Sequence, residues 1–298
     1  MNSNAEKVKE ALTRIEKGLE SINTDKDWIK YLEFQSRFYH YSFQNSMMIF
    51  VQNPQATYVA GYRAWNKLGR YVKKGSKGLA ILAPCIRKVE VFKEPDNKSE
   101  YHDQAGETET KQVISGFRVV HVFDIADTDG SDEYLPVLVK GLAGNSDDEK
   151  AIYERSLDTI SKEFVVREVK GTKSKGSFNL DTKVISVRAD LDFKQKIKTI
   201  LHELAHAYDF EMNPDENIPR NRRELTAESV SFVVSLRLGV DTAAYSMSYL
   251  QSWLKDKNEL KLVADTVQKL SCRIIDLLAG SSDPAFSMLK EGDDNEQT

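Results

Sequence analysis

The chain has 298 residues, 40% of them hydrophobic and 30% charged, with a formal net charge of −4. No apolar run approaches the roughly 20 residues of a membrane-spanning helix, and the N-terminus lacks the apolar stretch of a secretory signal, so we predict a cytoplasmic protein without membrane contact. The two cysteines, Cys85 and Cys272, lie far apart in sequence and without CxxC or Cys/His spacing, so the sequence suggests neither a disulfide framework nor a zinc ribbon.

Helical periodicity dominates the first part of the chain. Apolar residues at helical spacing predict an amphipathic helix over residues 5–22. A second predicted helix runs from about 27 towards 50 with an interruption around 39–42, and Asn53-Pro54 ends it. A short helix is predicted at 63–68.

Strand patterns follow these helices. A loop of lysines and glycines at 73–78 leads into an apolar strand at 79–86. Residues 94–112 are polar, acidic and without periodicity, so we interpret them as a long hairpin loop that ends at a strand over 117–123. The polar stretch 124–150 then indicates an inter-domain linker.

The second half combines a few short strands with long helices. A helix is predicted at 149–163, and the pair of strands closest in sequence should form a hairpin. The predicted strands are 165–169, 177–180 and 184–187, and the later helices are 193–210, 222–238, 245–255 and 260–278.

Together these patterns predict an α+β protein with two domains. An N-terminal α+β domain at 1–126 is followed by a linker at 127–147 and by a mainly helical domain with a small sheet at 148–290. The acidic residues 291–298 form a tail that we predict to be disordered.

A basic segment without acidic residues lies in the first half. Between Phe34 and Val89 there is no aspartate or glutamate, whereas nine lysines and arginines occur there. Cations alternating with aromatic rings are typical of grooves that hold single-stranded nucleic acid. The alternative is that the rings belong to the core and the lysines to a solvated face. The candidate DNA-binding residues are Arg63, Trp65, Lys67, Arg70, Tyr71, Lys73, Lys74 and Lys77.

The pentapeptide 202–206 reads His-Glu-Leu-Ala-His within a predicted helix. Residues four apart lie on one helix face, so His202 and His206 can bind one metal ion. Glu203 is placed to act as the general base on a water molecule whose pKa zinc lowers. We therefore predict a zinc metallopeptidase centre, although such a site also accepts Mn²⁺ or Co²⁺. The alternative, an idle helix, is disfavoured by the apolar residues around the histidines.

A catalytic zinc ion normally takes a third protein ligand. The next predicted helix carries Glu224 and Glu228 on one face. We expect Glu228 to bind the metal, because the small and apolar residues after it suit packing below the ion. We expect Glu224 to hydrogen-bond a ligand histidine. Asp209, three residues after His206, is a weaker candidate for either role.

The hairpin before this helix has two interpretations. Zinc peptidases hold an extended substrate against a sheet edge above the active-site helix, and the strand 184–187 is a candidate for that edge. A plain core hairpin is the equal alternative. Tyr208 and Tyr245 are candidate donors to an oxyanion, and nothing in the sequence selects between them.

Several segments, taken in order, resemble a known family. The first group resembles the N-terminal domain of the ArdC-type antirestriction proteins of conjugative plasmids, and the second resembles the metallopeptidase-like domain that follows it in that family. The first group is 41–45, 61–70, 72–78 and 117–124, and the second is 202–207, 223–228 and 249–254.

The resemblance implies a single-stranded-DNA-binding N-terminal domain and a zincin-like C-terminal domain that protect the incoming DNA of a mobile element from restriction. It also implies His202, His206 and Glu228 as zinc ligands and Glu203 as base. The expected partners are single-stranded DNA and a protein substrate or restriction-system component. Two other hypotheses stay open: a zinc peptidase that cleaves a regulatory protein, and a DNA-binding protein whose zinc is structural.

Overall fold

A computed structural model describes residues 3–92, 108–132, 149–240 and 256–279. Within these ranges the protein is α+β, as the sequence predicts, with its strands in three small sheets. No helix in the described part of the chain is long and apolar enough to cross a membrane.

Three capped helices open the chain. The first two begin with reciprocal capping boxes, in which the Ser3 hydroxyl accepts from the Glu6 N–H and Thr24 accepts from Asp27. The long helix predicted from 27 to 50 is two helices, and it is broken where the interruption was predicted, because the Ser42 hydroxyl caps a new start. The helices are α1 (Asn4–Ser21), α2 (Asp25–Arg37) and α3 (Phe43–Gln52).

A long antiparallel hairpin follows. It pairs β3 (Leu79–Phe92) with β4 (Thr108–Asp124), and the short β1 (Val59–Ala60) adds to the other edge of β4. A bulge at Cys85/Ile86 shifts the register of the hairpin. The loop predicted at 94–112 is too long, since β4 already begins at Thr108, and residues 93–107 lie outside the described part.

A second, two-stranded sheet is formed by residues far apart in sequence. After α4 (Tyr62–Lys67), β2 (Arg70–Val72) pairs antiparallel with β5 (Thr128–Gly130). The linker predicted at 127–147 therefore begins within a folded sheet. Its residues 133–147 lie outside the described ranges.

The second half builds a three-stranded sheet against long helices. The central strand β8 pairs parallel with β6 and antiparallel with β7. Of the two interpretations of strand 184–187, the substrate-holding edge is therefore wrong and the core strand is confirmed, because both of its edges are hydrogen-bonded. The predicted helix 245–255 and tail 291–298 lie outside the described residues. The elements are α5 (Glu149–Ile160), β6 (Val165–Val169), β7 (Gly176–Asn179), β8 (Val184–Arg188), α6 (Phe193–Met212), α7 (Arg220–Arg237) and α8 (Lys257–Ala279).

The N-terminal helices and the C-terminal helices share one hydrophobic core. Trp28 of α2 is fully buried and donates its indole N–H to the Ser229 hydroxyl of α7 at 3.0 Å. Gln268 of α8 donates to the Tyr39 carbonyl at 2.7 Å. The domain boundaries near 126 and 148 stay a prediction, and burial across them couples the stability of the two halves.

Candidate metal centre

Helix α6 presents His202, Glu203 and His206 from an otherwise buried helix. Asp192 caps its first turn by accepting from the Gln195 N–H at 2.8 Å. Its apolar face packs into the core and thereby fixes the rotation of the helix, so that the two imidazoles face α7. The fully buried residues of that face are Ile197, Ile200, Leu201, Leu204 and Ala205.

A buried ion pair holds the start of α7 against the end of α6. The Arg223 guanidinium donates to the Asp209 carboxylate at 2.8 Å, and each side chain is only 6% exposed. Arg223 also donates to the carbonyls of Asn213 and Asp215, at 2.9 and 2.8 Å, and so closes the connecting loop. We refer to these contacts of Arg223 with Asp209, Asn213 and Asp215 as the lock. Because Glu224 follows Arg223 directly, the lock determines which turn of α7 contacts the histidines.

Three ligand atoms converge between the two helices. The Nε2 atoms of His202 and His206 lie 3.1 Å apart, and Oε2 of Glu224 is 3.5 Å from the first and 3.7 Å from the second. An ion held by three tetrahedral ligands at about 2.0–2.1 Å would separate them by about 3.3–3.4 Å. These residues therefore fit a divalent metal with little adjustment.

Glu228 lies on the opposite side of the His202 ring. Its Oε1 is 3.7 Å from Nδ1 of His202, whereas Nε2 faces Glu224. A carboxylate on Nδ1 orients a ligand histidine and leaves Nε2 for the metal. The geometry therefore favours Glu224 as the third metal ligand and Glu228 as the group that orients His202. The sequence analysis expected the opposite assignment of these two residues. Which carboxylate binds an ion stays a prediction.

The charges of this cluster are coupled. Hydrogen bonds from His202 and then His206 hold the pKa of Glu224 well below its usual range. Burial opposes the charged form of His202, but the neighbouring Glu224, Glu228 and Glu203 outweigh it and raise the pKa of its imidazole. Two imidazoles beside an ionised carboxylate are a donor set that zinc prefers.

Glu203 occupies a different environment from Glu224. Burial raises the pKa of its carboxyl group, which the histidines and a backbone hydrogen bond from Phe178 of β7 only partly oppose. A Cβ at Gly176, also on β7, would lie 2.9 Å from Oε1 of Glu203 and 2.4 Å from Thr199. Strand β7 therefore approaches this carboxylate so closely that a side chain at position 176 would require Thr199 or Glu203 to shift.

A cleft of about 610 Å³ opens beside the cluster. Its lining includes Gly176, His202, Glu203 and Glu228, together with three lysines, Lys175, Lys194 and Lys198. Its size is that of a pocket for a small molecule or a few residues of a peptide. Among the described strands β7 pairs only with β8, on one of its two edges. The other edge of β7, rather than strand 184–187, is therefore the candidate edge for an extended substrate.

Two other predicted residues have structural partners away from the histidine nitrogens. Asp209 binds Arg223 and accepts from the Asn213 amide at 2.8 Å, so the structure gives it a place in the lock rather than beside the metal ligands. Tyr208, a candidate oxyanion donor, is buried and donates to Glu163 at 2.7 Å. Tyr245 lies outside the described residues.

The candidate DNA-binding residues divide by exposure. Trp65 is fully buried and donates its indole N–H to the Phe123 carbonyl at 2.9 Å, so it offers no free ring face. Arg70 is buried and donates to Thr128 and to the Gly130 carbonyl, so it holds β5 rather than a phosphate. Their burial makes both residues poor candidates for DNA contacts. The remaining candidates are exposed, namely Arg63, Lys67, Tyr71, Lys73, Lys74 and Lys77.

The sequence analysis assigned no role to Arg223, Gly176 or Phe178. No local pattern marks an arginine as the partner of a carboxylate fourteen positions earlier. Phe178 acts through its backbone N–H, which sequence does not report. Gly176 did carry a signal, because a glycine at a strand often marks a close approach of another group.

The chain is similar to known proteins over most of its length. The family model described as the N-terminal domain of anti-restriction factor ArdC matches residues 3–123. A curated relative, an uncharacterized protein of Bacillus anthracis, is 23% identical over an alignment 269 positions long that covers 80% of this chain and 45% of that protein. The chain thus spans less than half the length of the curated relative it matches.

Two solved structures of the antirestriction ArdC protein from the R388 plasmid are also similar. The metal-free structure shares 19% identity with a TM-score of 0.45, covering 81% of this chain and 86% of its own. The Mn(II)-bound structure shares 19% identity with a TM-score of 0.46, covering 86% of each chain.

Proposed function

We propose, on the premise that the chain belongs to the ArdC antirestriction family through its residues 3–123, that it binds single-stranded DNA and carries a metal-dependent peptidase-type centre. The observation that carries the second part is the convergence of His202, His206 and Glu224 within 3.1–3.7 Å beside the buried Glu203. The first part rests on an exposed basic and aromatic surface around α4 and β2.

His202, His206 and Glu224 would hold the ion, and zinc fits this donor set, with Mn²⁺ and Co²⁺ as the alternatives. The metal would supply a Lewis acid that polarises a carbonyl group and lowers the pKa of water. Glu228 would keep His202 oriented through Nδ1, and the Arg223–Asp209 pair would keep Glu224 at the histidines.

Glu203 would act as the general base. Its carboxylate adjoins the cluster without being among the three converging residues, and burial raises the pKa of its carboxyl group above the ordinary value. The Phe178 N–H fixes the carboxylate on the β7 side of the cleft.

The edge of β7 that pairs with no described strand would hold the substrate. An extended peptide that added to this edge would pass Gly176 and therefore Glu203. The absence of a side chain at Gly176 lets the backbone of β7 approach the carboxylate. A peptide or protein is therefore the substrate class that the geometry favours.

Substitution of Glu203 by glutamine tests the base. We expect Glu203→Gln to keep its bound metal and to lose cleavage of a fluorogenic peptide library by about 100-fold or more, the usual contribution of a general base. The exposed Glu216, changed to glutamine, is the control for surface charge. Equal cleavage by Glu203→Gln and the native chain would exclude this role.

The DNA-binding surface is proposed to centre on a tight turn after β2. The Ser76 N–H donates to the Lys73 carbonyl at 3.1 Å, and Gly75 adopts a φ of 91°, so Lys74 stands at the tip of the turn. Tyr62 and Tyr71 are 55% and 62% exposed, unlike Trp65. These two rings would stack on bases while the lysines bind phosphates.

Charge reversal at the turn tests this surface. We expect Lys73→Glu with Lys74→Glu to weaken binding to a fluorescent single-stranded oligonucleotide. The slope of log affinity against log salt should fall by about 1.4, since each phosphate contact contributes about 0.7. Lys26→Glu with Lys30→Glu, on the exposed face of α2, is the control of equal charge. An unchanged slope for the first pair would refute the assignment.

Protection of incoming DNA is the biological role that we propose for the combination. The competing function is a peptidase that cleaves a regulatory protein, and the cleft at β7 is the observation in its favour. A transfer assay into a restricting host separates the two. Loss of protection in the Lys73/Lys74 variant but not in Glu203→Gln supports DNA binding as the protective step, whereas the opposite pattern supports proteolysis.

A further inference from the structure

A second cluster of metal-binding side chains lies away from the first. His40 belongs to the turn between α2 and α3, and Cys272 and Asp276 are four residues apart on one face of α8. The three residues each offer one ligand atom within 4.8 Å of the others. The N-terminal helices and the last described helix thus meet at these three side chains.

The distances suit direct coordination. Nδ1 of His40 is 3.6 Å from Sγ of Cys272, which is 3.6 Å from Oδ2 of Asp276, and Nε2 of His40 is 3.7 Å from Oδ1 of Asp276. With metal–sulfur and metal–nitrogen distances of about 2.3 and 2.1 Å, tetrahedral geometry separates sulfur from nitrogen by about 3.6 Å. The Nδ1–Sγ pair of His40 and Cys272 already has this spacing, and each of the three residues offers one ligand atom within 4.8 Å of the others.

The surroundings hold the imidazole in place and leave a path to solvent. The His40 side chain is 9% exposed, and the Tyr39 ring lies 3.9 Å from it between centroids. Gln268 donates to the carbonyls of Phe38 and Tyr39, at 3.1 and 2.7 Å, which ties this turn to α8. Asp276 is 41% exposed, so an ion can enter from its side.

The donor set indicates which ion would bind. A thiolate, an imidazole and a carboxylate together favour zinc over magnesium or calcium, which prefer oxygen ligands alone. Binding would release the Cys272 thiol proton to solvent, and the thiolate and carboxylate charges would balance a divalent ion. The alternative is a hydrogen-bonded cluster without an ion.

We propose that His40, Cys272 and Asp276 form a second zinc site that clamps α8 to the turn between α2 and α3. The site shares no residue with the peptidase-type centre, and its sulfur ligand has no counterpart among His202, His206 and Glu224. It would hold together the two halves that share the core.

Cobalt(II) distinguishes the two sites in one preparation, because only a thiolate ligand gives a cobalt complex with a sulfur-to-metal charge-transfer band in the near ultraviolet. The metal-free full chain is titrated with Co²⁺ as the native protein, as Cys272→Ser and as Cys85→Ser, which removes the other cysteine. A His202→Ala and His206→Ala double variant removes the first centre.

We expect the band in the native chain, in Cys85→Ser and in the double histidine variant, and its loss in Cys272→Ser. Asp276→Asn, at a partly exposed position that tolerates the change, should keep the band with affinity more than about tenfold weaker, since losing even an outer partner of a metal site costs that much. Absence of the band in the native chain at stoichiometric Co²⁺, or its persistence in Cys272→Ser, overturns the proposal.

Discussion

Truncation of Arg223 should destabilise the fold far more than loss of a surface arginine. The guanidinium makes hydrogen bonds to the Asp209 carboxylate and to the carbonyls of Asn213 and Asp215, all at 2.8–2.9 Å, and the side chain is 6% exposed. Arg223→Ala leaves the Asp209 charge buried without its cation. Breaking such a pair from one side costs about 3–5 kcal/mol.

Urea unfolding of the metal-free protein measures this cost. The matched control is Arg220→Ala on the same helix, whose side chain is 92% exposed and contacts Glu224 at 3.4 Å. An ion pair whose cation is this exposed contributes about 0–1 kcal/mol. The double variant Asp209→Asn with Arg223→Met should recover part of the loss, because it removes both buried charges.

A loss below about 1 kcal/mol for Arg223→Ala, equal to that of the control, would refute the lock. The same variant should also bind metal more weakly, because Arg223 determines how α7 presents Glu224. If Arg223→Ala reduced stability but kept the native metal affinity, the lock would not be what places Glu224 beside the histidines.

Two further predictions concern Gly176, which is closely packed, and Arg70, which is hydrogen-bonded. Gly176→Ala places a methyl group against Thr199 Cγ2 and 2.9 Å from Glu203 Oε1, so it should lower the free energy of unfolding in urea by about 1–3 kcal/mol and lower the peptidase kcat. Gly116→Ala is the neutral control, because its methyl group would have no atom within 4 Å. A native kcat in Gly176→Ala would contradict the contact with Glu203. Arg70→Ala removes charged hydrogen bonds to Thr128 and Gly130, so it should lower the free energy of unfolding by about 2–3 kcal/mol without changing the salt dependence of DNA binding. A smaller salt dependence of binding together with native stability would instead identify Arg70 as a phosphate contact.

The helices were predictable because their signals are local. The periodicity and caps of α1 to α3, including the break before Ser42, depend on residues within a few positions of one another. The convergence of His202 and His206 follows equally from a spacing of four within one helix. These parts of the fold and of the site need no knowledge of distant contacts.

The features that sequence reasoning placed differently depend on distant partners. Arg70 was assigned to DNA by its neighbours in sequence, but its partners lie 58 and 60 residues away. The sequence does not distinguish an edge strand from a core strand at 184–187, because its parallel pairing with β6 leaves no pattern in its own residues. Glu224 and Glu228 differ by one helical turn, and only the closure of the loop by Arg223 determines which one meets both histidines.

Metal affinity of two carboxylate variants tests the proposed centre most directly. In a Cys272→Ser background, where bound zinc reports this centre alone, zinc affinity is measured by chelator competition for Glu224→Ala and Glu228→Ala. We expect Glu228→Ala to weaken zinc by about 10–100-fold, as loss of a histidine-orienting group does, and Glu224→Ala to weaken it further. A greater loss in Glu228→Ala than in Glu224→Ala would contradict the proposed ligand set.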